Sequence, residues 1–192
     1  MEKRYIFAIC AVILVAAAAA VYFFCFATPP VPRETYDRMK ETLPLSTYDD
    51  KLLNPDDKFE FSTEKPSYRI KDHTEIGIVM TDNGFSHAET PRFTTVEIKI
   101  DGQWYTIIQG GAAPDFGPYW YIFDNVKTIS NTIHLYKIGQ KIPERIVRTE
   151  DDIIVTTAYE FDWVPGEYRF VTWIRAGRFI PNNSYAAEFR LK

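Results

Sequence analysis

The sequence predicts an all-β sandwich preceded by one N-terminal transmembrane helix, and three observations carry that prediction. Short runs rich in Ile, Val, Thr, Tyr and Phe recur from Phe59 to the C-terminus, punctuated by Gly, Pro, Asn and Asp. Helical periodicity is nearly absent over the same span. Ahead of it, Tyr5 to Phe26 is a run of 22 residues without a charge.

That apolar run spans about 33 Å as a helix, against a hydrocarbon core of about 30 Å. A retained signal-anchor over residues 1–27 is therefore expected. The competing reading is a cleaved signal peptide, with Lys3 and Arg4 as its basic start and Cys25-Phe26-Ala27 as its cleavage site, but its apolar core would be unusually long. Phe24 stands before Cys25 where a lipoprotein needs a small residue. Lys3 and Arg4 border the span on one side, whereas the other side begins with prolines, so the N-terminus is expected inside and the remainder outside the cell.

Residues 28–58 are expected to be a stalk or linker. Thr28 to Pro32 reads TPPVP, which cannot continue a helix and favours an extended chain. Glu34 to Leu43 has the composition of a brief helix before Pro44. Asp49-Asp50 and Asp56-Asp57 match no calcium-loop spacing and read as solvated turn carboxylates.

Residues 59–192 form the predicted β domain. Phe59–Ser62 and Tyr68–Ile70 are short extended pieces. Ile76, Ile78 and Met80 belong to a longer strand that stops at Asp82-Asn83-Gly84. Val96, Ile98 and Ile100 alternate with Thr95, Glu97 and Lys99, and Asp101-Gly102 supplies a tight turn into Gln103 to Ile108. With a two-residue loop, Tyr105 faces Ile98, Ile107 faces Val96 and Trp104 lies beside Lys99. With a three-residue bulged loop, Trp104 joins Ile98. The first is the expected register. Gln109 to Asn125 then reads as a long Gly- and Pro-marked loop, after which Ile133–Tyr136, Ile146–Arg148, Ile153–Phe161, Glu167–Ile174 and Tyr185–Leu191 read as strands.

At 192 residues, with 46% hydrophobic and 16% aromatic content, the chain can build one core. A net charge of −4 and scattered Lys and Arg exclude the basic surface that holds a phosphate backbone, so no nucleic-acid partner is expected. Both cysteines, Cys10 and Cys25, lie in the apolar segment, which leaves the β domain without a disulfide or a Cys-ligated metal.

Three stretches carry a family likeness: DGQWYTI (101–107), PGEYRFV (165–171) and AAEFRLK (186–192), preceded by EKPSYRIKDHTEIGIVMTDNG (64–84). Together they resemble the immunoglobulin-like domain of membrane- or lipid-anchored cell-surface proteins in Firmicutes-type bacteria. Tyr136-Lys137-Ile138-Gly139 occupies the position of that family's L-K-P-G turn, with Ile138 in place of proline. The resemblance covers about two thirds of residues 59–192 and implies an immunoglobulin-like antiparallel β-sandwich outside the cell. The residues support the same fold by a separate route. Tyr168 has the place of the tyrosine that folds its hydroxyl back to the preceding corner, and Phe170 stands where immunoglobulin domains carry a cysteine. The alternative for Tyr168 is one more aromatic strand residue.

Chemistry is sparse. His73, His87 and His134 share no spacing of helical metal ligands and each reads as a surface or core residue. Glu150-Asp151-Asp152 reads as a turn, Gly110-Gly111 lacks the helix and lysine of a phosphate loop, and Asn182-Asn183-Ser184 matters only in a glycosylating host. No catalytic residue, metal or cofactor is expected, and the chain is not expected to be an enzyme. The one candidate site is the aromatic cluster Phe116, Tyr119, Trp120, Tyr121 and Phe123, whose rings could stack on sugars or dock a protein. The expected function is thus a membrane-anchored extracellular module for protein–protein or structural interaction. The alternative is an envelope carbohydrate-binding protein using that loop, with a cell-wall glycan as partner.

Overall fold

The computed structural model describes residues 15, 31–85, 88–91, 94–109, 120–123, 127–140, 146–148, 153–155, 157–176 and 183–192. The chain divides into two compact units, Met1–Pro32 and Arg33–Lys192. The apolar segment expected to cross a membrane lies outside the described residues apart from Val15, and no helix among the described residues is long and apolar enough to do so.

Among the described residues the second unit is mostly β, with one α-helix. The helix, α1 (Arg33–Thr42), lies within a residue of the expected Glu34–Leu43 and stops short of Pro44, which no helix interior tolerates. The first sheet has the order β1 (Phe59–Thr63), β3 (His73–Asp82), β8 (Thr128–Tyr136), β11 (Thr157–Glu160). The second runs β2 (Ser67–Tyr68), β13 (Asn183–Leu191), β12 (Gly166–Ala176), β4 (Ala88–Pro91), β7 (Trp120–Ile122). There β12 also pairs with β5 (Thr95–Ile100), which continues to β6 (Gln103–Ile108). A separate ribbon pairs β9 (Ile146–Arg148) with β10 (Ile153–Val155).

The expected all-antiparallel arrangement is corrected at two pairs. β11 runs parallel to β8, and β13 runs parallel to β2. Residues 137–156 supply the crossover that a parallel pair needs and a hairpin cannot give. The run Ile153–Phe161 also divides between β10 and β11, and the expected long loop after Gln109 contains β7.

The hairpin β5–β6 has the two-residue loop. Asp101 and Gly102 both hold positive φ, 52° and 82°, the paired left-handed conformation that matches the twist of a hairpin. Tyr105 lies opposite Ile98 and Trp104 opposite Lys99. One pairing is corrected: a bulge between Val96 and Glu97 sets Ile108 against Val96, so Ile107 has no partner there.

The period of two assigns the faces. Ile76, Ile78 and Met80 of β3, with Ile133 and Leu135 of β8, are buried on one side of the first sheet. Val96 and Ile98, with Tyr168, Phe170, Tyr185 and Phe189, are buried on one side of the second. The rings of Phe59 in β1 and Tyr185 in β13 meet edge-on at 5.1 Å, and Tyr159 of β11 donates to the Thr94 carbonyl at 2.7 Å, so the two sheets share a core. Each fully buried Ile or Phe there contributes about 1.5–3 kcal/mol.

The opposite face of β5, β6 and β12 is covered as well. The Ser46 amide donates to the Trp104 carbonyl and the Thr106 amide to the Pro44 carbonyl, both at 2.9 Å, which pairs residues 44–46 with the free edge of β6. Leu53 bridges to Ser184, and the Tyr36 hydroxyl donates to the Pro165 carbonyl. Beneath this strap Arg169 is 1% exposed and Glu97 0%. Strand register sets them opposite each other, and Arg169 Nε donates to Glu97 Oε2 at 2.6 Å. Arg169 also donates to Asp50 Oδ1 at 2.6 Å, Thr106 donates to Glu97 Oε1 at 3.2 Å, and the guanidinium lies 4.2 Å from the Trp104 ring centre. Trp104 is therefore beside Lys99, as the expected register requires, and buried nonetheless.

Candidate functional site

The outer face of the first sheet brings together two histidines that lie far apart in the chain. β3 and β8 are antiparallel, with Glu75 opposite His134 and His73 opposite Tyr136. Residues two apart share a face, so His73 and Glu75 point the same way, away from buried Thr74 and Ile76. The diagonal pairing then carries His73 to His134.

Their functional atoms converge. His73 Nε2 lies 2.8 Å from His134 Nδ1, and Glu75 Oε1 lies 3.8 Å from the first and 3.7 Å from the second. The His73 ring stacks on Tyr136 at 4.4 Å with an interplanar angle of 3°, which fixes its orientation. His134 is half-buried, whereas His73 and Glu75 are exposed enough to be reached from solvent. A nitrogen–nitrogen hydrogen bond holds a single proton, so one of the two imidazoles donates and the other accepts. Burial, and after it the neighbouring His73, hold His134 below the usual histidine range, with Glu75 acting in the opposite sense. A neutral imidazole is the form that serves as a metal ligand or proton acceptor.

The surroundings add charge of both signs. Lys65, Arg69 and Lys71 line a cleft of about 390 Å³ that His73 and Glu75 also border. On the same face, two residues along from Glu75, Gly77 is bare because the Glu64 side chain crosses it where a Cβ would collide.

The aromatic cluster is placed differently. Phe116 and Tyr119 lie outside the described residues. Trp120 and Tyr121 are on β7, paired through the backbone with Pro91 and Thr90 of β4. Phe123 is buried, with its ring edge-on to Phe59 at 5.6 Å, so it helps close the core. Among the acidic pairs, Asp49 accepts from the Lys51 amide and caps a short turn, while Asp56 accepts from the Tyr185 hydroxyl. Asp50 is committed to Arg169. His87, Gly110, Gly111 and Glu150 to Asp152 lie outside the described residues.

The His73–His134 pair is what sequence reasoning missed. The two histidines lie 61 residues apart with no helical spacing between them, and the signal that joins them is strand register. A sequence reader would have needed the β3–β8 pairing to see it.

No family model matches the sequence, and no curated protein matches it. Among solved structures, a β-glucosidase from Erythrobacter marinus aligns with a TM-score of 0.30 and 15% identity over 70% of this chain. The chain spans 15% of the length of that enzyme, and so low a score carries no argument about fold or activity.

Proposed function

We propose that the chain is a membrane-anchored, extracellular immunoglobulin-like module that serves protein–protein or structural interaction at the cell surface, without catalysis. The observation that supports this reading most is the corner at Tyr168. Its hydroxyl donates to the Val164 carbonyl at 2.7 Å and accepts from the Val164 amide at 3.3 Å, across the Pro165-Gly166 turn that opens β12. That is the position and bond of the tyrosine corner of immunoglobulin-type sandwiches. Phe170, two residues on, stands where immunoglobulin domains carry a cysteine, and it packs within its own sheet on Phe189 of the neighbouring β13 at 4.7 Å. The uncharged run Tyr5–Phe26 supplies the anchor in this reading.

Tyr168→Phe tests the corner, because it removes the hydroxyl and keeps the ring. Losing that buried bond is expected to lower stability by about 1–3 kcal/mol, read as a shift in the urea midpoint of the full chain in detergent. An unchanged midpoint would remove the support. Protease applied to intact cells of the producing bacterium is expected to digest residues 33–192, and protection would overturn the outward placement. Turnover by the purified chain in a broad hydrolase screen would overturn the non-enzymatic reading.

The alternative, envelope glycan binding through residues 116–123, has less to stand on with Phe123 buried in the core. Retention on cell-wall glycan by the parent chain, lost in Trp120→Ala, would restore it.

A further inference from the structure

We propose that His73, Glu75 and His134 form a binding site for one divalent transition-metal ion of the zinc type. The β3–β8 register builds this site, whether or not the domain is a surface module.

Three ligand atoms define where an ion would sit. With separations of 2.8, 3.8 and 3.7 Å, the point equidistant from all three lies about 2.0 Å from each, the bond length of zinc to imidazole nitrogen or carboxylate oxygen. The two rings now meet nitrogen to nitrogen, so in tetrahedral coordination the ion rises out of that plane, the nitrogens part by about half an ångström and each imidazole turns from its neighbour toward the ion, releasing the proton they share. The ligand set selects the ion. Two imidazoles and one carboxylate suit zinc and its neighbours, whereas calcium and magnesium take oxygen donors.

The site has the supports that such centres need. Both histidines sit on adjacent central strands of the first sheet, so their backbones are fixed by ladder hydrogen bonds. His73 is held in plane by its stacking on Tyr136. Three protein ligands leave the fourth position of a tetrahedron to water. Lys65, Arg69 and Lys71 nearby oppose a cation, which makes the negative charge of Glu75 necessary to the site.

The test uses the full chain in detergent, without a polyhistidine tag and stripped with EDTA. Calorimetric titration with ZnCl2 is expected to show one ion per chain. CoCl2 is expected to give the intense visible band of four-coordinate cobalt, removed by added zinc. Loss of even an outer partner of a metal ligand costs about 10–100-fold in affinity, so His134→Ala and His73→Ala should each cost more than about a hundredfold. Glu75→Gln keeps the size and removes the charge of an exposed side chain, and should weaken binding. His87→Ala, which removes the remaining histidine, should leave binding unchanged. The proposal is overturned if the parent binds neither ion, if the double variant His73→Ala/His134→Ala binds as the parent does, or if bound cobalt shows the pale spectrum of six-coordination.

Discussion

Two outward-facing polar clusters, one on each sheet, differ in how they are closed. Arg169 and Glu97 face each other on β12 and β5, and His73, Glu75 and His134 meet on β3 and β8. The first cluster is sealed beneath residues 44–53, and each charged group finds a counter-charge or hydrogen-bond partner from the chain: Glu97, Asp50 and the Trp104 ring for Arg169, and Arg169 and Thr106 for Glu97. The second is open to solvent: its two ring nitrogens share one hydrogen bond, and the exposed Glu75 oxygen stands 3.8 and 3.7 Å from them. A polar group satisfied by its own chain has a structural role. Two imidazoles and a carboxylate gathered in the open can be reached by a ligand that displaces their shared proton.

The largest expected effect breaks the sealed cluster. Glu97→Ala leaves a buried guanidinium with only the half-exposed side of its partners, and should cost about 3–5 kcal/mol in urea denaturation followed by the fluorescence of Trp104 and its fellows. Replacing both members, Glu97→Leu with Arg169→Met, should recover most of that loss, since apolar residues of similar volume need no counter-charge. A double variant as unstable as the single one would show that the pair does more than neutralise itself. The open cluster should behave in the opposite way. In the absence of metal, His73→Ala gives up its stacking on Tyr136 and should cost about 1 kcal/mol or less. A loss equal to that of Glu97→Ala would erase the distinction between the two clusters.

The same contrast explains what the sequence allowed to be read. Alternation and turn chemistry located β3, β5, β6, β12 and β13, because each signal is local: Asp101-Gly102 alone sets the hairpin loop. Tyr168 was legible for the same reason, its partner Val164 being four residues away. Alternation also marks Glu97, Trp104 and Arg169 as outward, and they are. It does not report that Arg33 to Leu53 lies over them, because that cover comes from a segment whose prolines and paired aspartates read as a linker. β4 and β7 were missed because Ala88–Pro91 and Trp120–Ile122 are short and have Pro or Gly nearby; their pairing is a tertiary event. His73 and His134 were hidden by sequence distance, since only register unites them.

The smallest expected effect concerns a third cluster, on the exposed hairpin turn. Arg33 of α1 donates to both carboxylate oxygens of Asp101 and Lys40 to one, and these hydrogen bonds hold its carboxyl well below the usual carboxylate range, at about 2. A folded-state value below the unfolded one means that the pairing stabilises the protein above the unfolded value of about 3.9. That contribution is lost as pH falls from there through about 2. Asp101→Asn is the clean probe, because asparagine keeps the size and accepts the positive φ of 52° that the turn imposes. The parent should have the higher urea midpoint at neutral pH. The gap should narrow between pH 4 and pH 2, and it should shrink with added salt at neutral pH because water reaches all three side chains. A gap that persists unchanged at pH 2 would mean that Asp101 acts through turn conformation. Charge would then matter only where the chain excludes water, as it does around Arg169, and the exposed turn would align with neither of the other clusters.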